Sequence, residues 1–222
     1  MDQPTVDDLI LMGYMSDGRE TDWDTNWIKN SKTGSSNING TIIEYNYYIY
    51  QNSTTNQAVI SFGDGGKGQI LDGLSGLRQE RASGKFGIDE YQALIDDLEN
   101  DVRTLMQNGY KPTFTGVCCG GLQAQYASQH FNSEATVFNC SGVDENNMDW
   151  ARAQGYGEFH QEWPHDDFIN YVYTDSSDLL VDYGCKYGKE YEIASVYGFI
   201  GSTLNPIGTL IDWAGAEIDL KN

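Results

Sequence analysis

Hydrophobic and polar residues alternate along this chain with two different periods, and the first is typical of strands. β-Branched and aromatic residues dominate "TIIEYNYYIYQ" (41–51) and "AVISF" (58–62), which predicts two strands. The polar "NSTTNQ" between them carries turn-forming residues, so we expect a hairpin. The preceding "NSKTGSSNING" is interpreted only as a polar segment, and no strand is assigned to it.

The second period is helical. In "DEYQALIDDLENDVRTLMQNG" (89–109) apolar residues recur every three or four positions, which predicts a long amphipathic helix that stops at Gly109. Near the N-terminus, "TVDDLILMGYM" combines a capping residue, Thr5, with acidic residues in its first turn, and it predicts a short helix.

Further along, strands and helices alternate. "KPTFTGV", "EATVFNCSG" and "INYVYTDSSD" read as strands, whereas "GGLQAQYASQHF" reads as a helix. Residues 143–168 predict a helix plus a loop that forms a lid or pocket wall, and residues 201–220 predict a closing helix. This alternation indicates an α/β protein with a mostly parallel sheet and crossover helices. A length of 222 residues fits a single domain, residues 1–222.

Charge limits the partners. The chain has 13 Lys and Arg against 33 Asp and Glu, a formal net charge of −20, which disfavours nucleic acids and anionic membranes. No stretch is long and apolar enough for a transmembrane segment, and the acidic start does not resemble a signal peptide. The compartment stays unknown: a cytoplasmic protein, an exported protein and part of a larger secreted protein are all compatible with the sequence.

The four cysteines are too few for a disulfide scaffold in a chain of this length. No cysteine or histidine cluster has zinc spacing, so we expect no metal and no cofactor. Cys140 and Cys185 are interpreted as small buried residues. Cys118 and Cys119 are adjacent and require another explanation.

The explanation is a five-residue motif: glycine, any residue, a nucleophile, any residue, glycine. Gly116, Cys118 and Gly120 match this motif, which lies between a predicted strand and a predicted helix. The two glycines would allow a strained turn in which larger side chains would collide with the strand or the helix. A helix N-terminus favours a thiolate and offers N–H groups to an oxyanion. We therefore predict Cys118 as a nucleophile and the backbone N–H of Cys119 as an oxyanion donor.

The stretch "YKPTFTGVCCGGLQAQYAS" resembles the "TGHSLGGALAQLAA" elbow of the lipase-like α/β-hydrolases of the class 3 type, with Cys118 where that family has serine. "AVISFGDGG" is similar to the oxyanion strand and turn of the family. The resemblance implies an α/β-hydrolase fold with helices on both faces of the sheet. It also implies lipid or other acyl esters as substrates. By position, Asp178 corresponds to the triad acid, and Gly63, Asp64 and Gly65 are candidates for the second oxyanion donor.

The sequence departs from the family at the triad histidine, because no histidine follows Asp178. A relocated base, His165, is one alternative, and a solvated loop histidine at that position is the other. His160 has the same two interpretations. His130 follows the elbow helix, where a cation would meet the negative end of the helix dipole.

Two functional hypotheses follow. In the first, the chain hydrolyses a small-molecule or lipid acyl ester, or a thioester, through Cys118. In the second, it is a catalytically inactive pseudoenzyme that uses the fold to bind a protein partner.

Overall fold

The structure, a computed structural model, describes residues 4, 8–9, 12–13, 26–63, 87–155, 169–173 and 184–192. Within these residues seven strands form one sheet in the order of the chain, and three helices have described bounds. The strands are β1 (Ile28–Ile38), β2 (Thr41–Asn52), β3 (Gln57–Phe62), β4 (Lys111–Val117), β5 (Ala135–Phe138), β6 (Ile169–Tyr173) and β7 (Gly188–Glu192). The helices are α1 (Ile88–Gln107), α2 (Gly120–Phe131) and α3 (Glu145–Gln154).

The sheet is mixed, with most of its strand pairs parallel. β1, β2 and β3 pair antiparallel, and each neighbouring pair from β3 to β7 is parallel. The predicted hairpin is confirmed as β2 and β3, and the predicted strand and helix around the cysteines are confirmed as β4 and α2. The expected mixed α/β fold is therefore present.

β1 is a strand that the polar sequence did not predict. It pairs with β2 along its whole length through a two-residue turn, Asn39-Gly40, in which both residues have a positive φ, 52° and 91°. Such a turn matches the twist of the two strands it joins. The side chain of Asn37 also accepts a hydrogen bond of 2.8 Å from the Gly40 N–H. Pairing and turn geometry stabilise this strand, so hydrophobicity could not reveal it, whereas the Asn-Gly pair could have.

Tyrosine–aspartate hydrogen bonds fix the first hairpin to α1. The Tyr47 hydroxyl donates to Asp101 Oδ2 at 2.7 Å, and Lys32 Nζ lies 2.8 Å from Asp101 Oδ1. One turn earlier, the Tyr45 hydroxyl donates to Asp97 at 2.6 Å. Burial, followed by the Asp97 hydrogen bond, raises the pKa of Tyr45 to about 12, and burial with the Asp101 hydrogen bond raises the pKa of Tyr47. Both hydroxyls therefore stay protonated as donors at neutral pH.

We expect Tyr47→Phe to lower the free energy of unfolding by about 1 kcal/mol, because a partly buried hydrogen bond is lost while Lys32 still holds Asp101. Urea unfolding at pH 7 measures the change. The control is Tyr48→Phe, since the Tyr48 ring packs on the opposite face of the sheet. An equal loss of stability in both variants would contradict the role assigned to the Asp101 hydrogen bond.

Alternate residues of the strands enter two separate cores. In β3, Ala58, Ile60 and Phe62 face the cluster that holds the buried side chains of α1, α2 and α3. Val59 faces the other cluster, which contains no residue of these helices. The three described helices therefore pack on the same face of the sheet.

The strand order gives the reason. Connections between parallel strands are right-handed almost without exception. When each connection moves the chain to the next strand in the same direction, right-handedness places all the connecting helices on one face. From β3 to β6 the order never reverses, and a reversal is what brings helices to the second face. Among the described residues the connecting helices thus lie on one face, and the expected arrangement of such helices on both faces is not confirmed.

On that second face, the described cover comes from the N-terminal segment. Residues 8, 9, 12 and 13 are helical, as predicted for this segment. Leu9 and Met12 are buried against the sheet, and the Met12 carbonyl accepts a 3.1 Å hydrogen bond from the Ser61 hydroxyl. The predicted loop after α3 and the predicted C-terminal helix lie outside the described residues.

Candidate functional site

The candidate site begins where the central strand, β4, passes into α2. Val117 ends the strand, Cys118 turns the chain, and α2 begins at Gly120. The Cys118 N–H donates to the Phe138 carbonyl at 3.0 Å, and the Cys118 carbonyl accepts from the Gly121 N–H at 3.1 Å. These two bonds connect the turn to both β5 and α2. The predicted strand, turn and helix are present at the carboxyl edge of the sheet.

Both glycines of the motif are required by close packing. A Cβ at Gly116 would overlap the backbone of Gly120 and lie 2.7 Å from the Gly121 nitrogen. A Cβ at Gly120 would overlap the carbonyl oxygen of Phe62, at the end of β3. The turn therefore brings strand and helix backbones closer together than any residue with a side chain permits.

The backbone of Cys118 is left-handed, with φ 52°. Among the described residues other than glycine, five have a positive φ, and four of them are asparagines: Asn39, Asn56, Asn132 and Asn139. Asparagine adopts this conformation at little cost, whereas a cysteine there is uncommon. Strain of this kind accumulates at functional positions. Cys118 is the exception among the five and occupies the nucleophile position of the motif.

The Cys118 thiol is half-buried, and it packs against the apolar cluster on the face of the sheet opposite α2. This cluster includes Val117 and Phe138 from the strand ends, and Met12 from the N-terminal segment. Gly13 lies directly beside it, because a Cβ at that position would be 2.8 Å from Val117 Cγ2. The thiol therefore has an apolar wall on this side.

Two residues predicted as oxyanion donors lie at or beside the turn. Cys119 follows Cys118 directly and occupies the N-cap of α2 with helical φ and ψ of −64° and −34°. Gly63 follows β3, and a Cβ at Gly120 would be 3.5 Å from its carbonyl carbon. The end of β3 therefore lies against the start of α2. Asp64 and Gly65 lie outside the described residues.

A buried hydrogen-bond network holds α2 in place beneath the turn. Gln125 Nε2 donates to the carbonyls of Ser141, at 2.9 Å, and Gly121, at 3.2 Å. Gln125 Oε1 accepts from the Tyr171 hydroxyl at 2.7 Å, and that hydroxyl accepts from the Tyr187 N–H at 3.2 Å. Burial raises the pKa of Tyr171, which keeps its donor proton in place. The sequence analysis did not predict this network. Its one signal in the sequence was a glutamine among the small residues at the start of the helix.

Every residue of α2 is buried, including His130 near its C-terminal end. His130 does lie at the C-terminal end of the helix, as predicted, but it is not the expected cation. Its Nδ1 lies 3.0 Å from the Tyr91 hydroxyl, and its Nε2 lies 3.1 Å from Glu99 Oε1. Burial lowers the pKa of His130 from 6.5 to about 4, so the loss of hydration outweighs the nearby carboxylate.

His130 is also too far from the thiol to act as its base. Ten residues of helix separate it from Gly120, which corresponds to about 15 Å at 1.5 Å per residue. The other predicted members of the site, Asp178 and His165, lie outside the described residues, as does His160. The structure thus brings together Gly63, Gly116, Cys118, Cys119 and Gly120.

The four cysteines are all free thiols. Cys140 is buried, as predicted, and its side chain packs against Gly121. Cys185 is exposed, so its interpretation as a buried residue was wrong: it lies on a bridge to Val143 outside the regular strands.

In the parts of the chain that the structure describes, no three His, Cys, Asp or Glu side chains are grouped to hold a metal ion. Nor does any helix there have the length and apolar character needed to cross a membrane.

Comparison with known proteins gives little to add to this geometry. No family model matches the chain, and no curated protein matches it. Among solved structures, the chain is similar to one titled Rhizomucor miehei lipase propeptide complex, native, with 17% sequence identity and a TM-score of 0.48. The match covers 76% of this chain, which spans only 57% of the length of that one. At this score the likeness does not establish a shared family, and function has to be inferred from the chain's own residues.

Proposed function

We propose that this chain is an acyl-ester or thioester hydrolase with an α/β-hydrolase-like fold and Cys118 as its nucleophile. The observation that carries the proposal is the left-handed Cys118 in a turn that Gly116 and Gly120 make possible, at the carboxyl end of the central strand. A strained nucleophile turn between a strand and a helix presents the reactive atom above the sheet edge. A purely structural turn would have no reason to place a cysteine where asparagine or glycine costs less.

In the proposed reaction, Cys118 Sγ attacks the acyl carbon of the ester. A sulfur–carbon bond forms, the ester carbon–oxygen bond breaks, and the thiol proton leaves with the alcohol. Water then attacks the resulting thioester, which releases the acid and returns a proton to Cys118. During both attacks the charge on the carbonyl oxygen would be stabilised by the backbone N–H of Cys119 and by a donor from the turn after β3, for which Gly63, Asp64 and Gly65 are the candidates.

Proton transfer requires a base, and the proposal assigns this role to His165, oriented by Asp178. Both assignments come from the sequence. They are tested by replacing His165 with glutamine, which would slow release of the acid more than formation of the thioester, because water needs a base more than a thiol does.

The alternative is a pseudoenzyme that binds a protein partner through the same fold. One observation favours it: the histidine in the described residues, His130, is buried, uncharged at neutral pH and about 15 Å along α2 from the turn. No histidine follows Asp178 in the chain either. A site without an imidazole would retain the turn and lose turnover.

We expect p-nitrophenyl ester hydrolysis in the wild type to fall to background in Cys118→Ala. The matched control is Cys119→Ala, which removes the neighbouring thiol but keeps the backbone N–H, and it is expected to retain most of the activity. Release of p-nitrophenolate measures turnover, and intact-protein mass spectrometry shows which cysteine carries an acyl group. A wild-type protein that neither hydrolyses the ester nor becomes acylated at Cys118 would support the pseudoenzyme instead.

A further inference from the structure

A second left-handed turn lies directly beside the first. Asn139 follows β5, as Cys118 follows β4, and its φ is 46° against 52° for Cys118. The Asn139 N–H donates to the Val172 carbonyl of the next strand at 2.9 Å. The Cys118 N–H makes the equivalent bond to the Phe138 carbonyl at 3.0 Å. The two residues therefore leave adjacent parallel strands in the same way.

The strand register makes them neighbours. Val117 pairs with Phe138, so the next residue of each strand, Cys118 and Asn139, stand side by side at the carboxyl edge. Adjacent strands are about 4.8 Å apart, which puts a carboxamide within side-chain reach of a group bound to the thiol. Asn139 is only 6% exposed, so its carboxamide is held in a largely dry environment, where a hydrogen bond is stronger than in water.

We infer that Asn139 belongs to the Cys118 site and that its carboxamide donates a hydrogen bond to the carbonyl oxygen of the acyl group under attack. This inference rests on the proposed function. A carboxamide carries two N–H donors without a charge, which suits an oxygen that becomes negative only in the transition state. Asn139 would thus supply a side-chain donor from the end of β5, in addition to the backbone N–H of Cys119.

The test compares two reactions of the same thiol. Acylation by p-nitrophenyl acetate creates an oxyanion: the new sulfur–carbon bond forms at a carbonyl, p-nitrophenolate leaves and the thiol proton passes to water. Alkylation by iodoacetamide displaces iodide at a saturated carbon and creates none. A residue that stabilises the oxyanion therefore affects the first rate and leaves the second unchanged.

The variant is Asn139→Gly, since glycine keeps the left-handed backbone and removes only the side chain. Asn56→Gly is the matched control, because Asn56 has φ 55° and precedes β3 at the opposite edge of the sheet. Site-resolved mass spectrometry follows both reactions at Cys118. We expect Asn139→Gly to slow acylation by about tenfold to a hundredfold. Alkylation in that variant, and both rates in the control, should stay within about twofold of wild type.

Equal acylation rates in Asn139→Gly and wild type would overturn the inference and leave the nucleophile proposal standing. A parallel fall in acylation and alkylation would also overturn it, because Asn139 would then act on the placement of the thiol. A wild-type Cys118 that p-nitrophenyl acetate does not acylate would overturn the proposed function first, and the inference with it.

Discussion

Gly120→Ala is expected to lower the free energy of unfolding by about 3 kcal/mol, because the added methyl group has no space. Its Cβ would overlap the Phe62 carbonyl oxygen and lie 2.8 Å from the carbonyl carbon. Both atoms belong to backbone at the end of β3, which cannot rotate away as a flexible side chain would. Relief would require α2 to move off the sheet, and that movement would disturb the Cys118 turn and the buried Gln125 hydrogen bonds.

The control for this substitution is Gly109→Ala. Gly109 has a positive φ of 82°, and a Cβ at this position would meet no described atom within 4 Å beyond its chain neighbours. Alanine there therefore costs only backbone strain, about 1 kcal/mol. Urea unfolding compares the two variants. If Gly120→Ala cost no more than Gly109→Ala, the close approach of β3 and α2 would not be a determinant of the fold.

Acid is expected to remove about 3 kcal/mol of stability through His130. Its pKa is about 4 in the folded protein and 6.5 in the unfolded chain, so the unfolded chain binds a proton more readily. The stability that neutral His130 contributes is therefore fully present above pH 6.5, and this contribution is lost as pH falls from 6.5 to about 4. The sign follows from burial, which disfavours the charged imidazole despite Glu99 at 3.1 Å.

Other carboxylates titrate in the same range, so the measurement is a difference between two proteins. In His130→Gln the side chain is polar but cannot gain a proton. The free energy of unfolding of both proteins is measured from pH 7.5 to pH 4.5. We expect the wild type to lose more stability than the variant over this range, with the gap widening below pH 6.5. Parallel curves would show that His130 does not titrate as its burial implies.

The sequence predicted the parts of the fold in which local pattern and tertiary contacts agree. The bounds of β4 and α2 matched the predicted segments because an apolar run, paired glycines and helix-forming residues indicate the same boundaries. β1 was missed because its residues are polar and its stability comes from pairing with β2. Helices were expected on both faces from the resemblance to the α/β-hydrolases, and the alternation of elements could not correct this, since it does not encode the order of strands in space.

The site was predictable to a similar degree. Gly116, Cys118 and Gly120 lie within five consecutive residues, and their geometry depends on the local backbone. The sequence pattern was therefore sufficient to predict the turn. Asn139 and Gln125 lie outside this motif. The register of β4 with β5 places Asn139 beside Cys118, and the packing of α2 brings Gln125 to the Ser141 carbonyl. No pattern within a single segment predicts contacts of that kind.

The uninterrupted strand order has a consequence for biosynthesis. Each strand pairs with the one made just before it, so the sheet can grow strand by strand as the chain leaves the ribosome. The N-terminal residues are made first, yet the hydrogen bond to Met12 comes from a residue 49 positions later, and the cluster it joins extends to β6. The apolar face beside Cys118 is therefore completed only after most of the sheet exists. Until then this apolar face is incomplete on the nascent chain, and apolar surface left uncovered during synthesis favours aggregation.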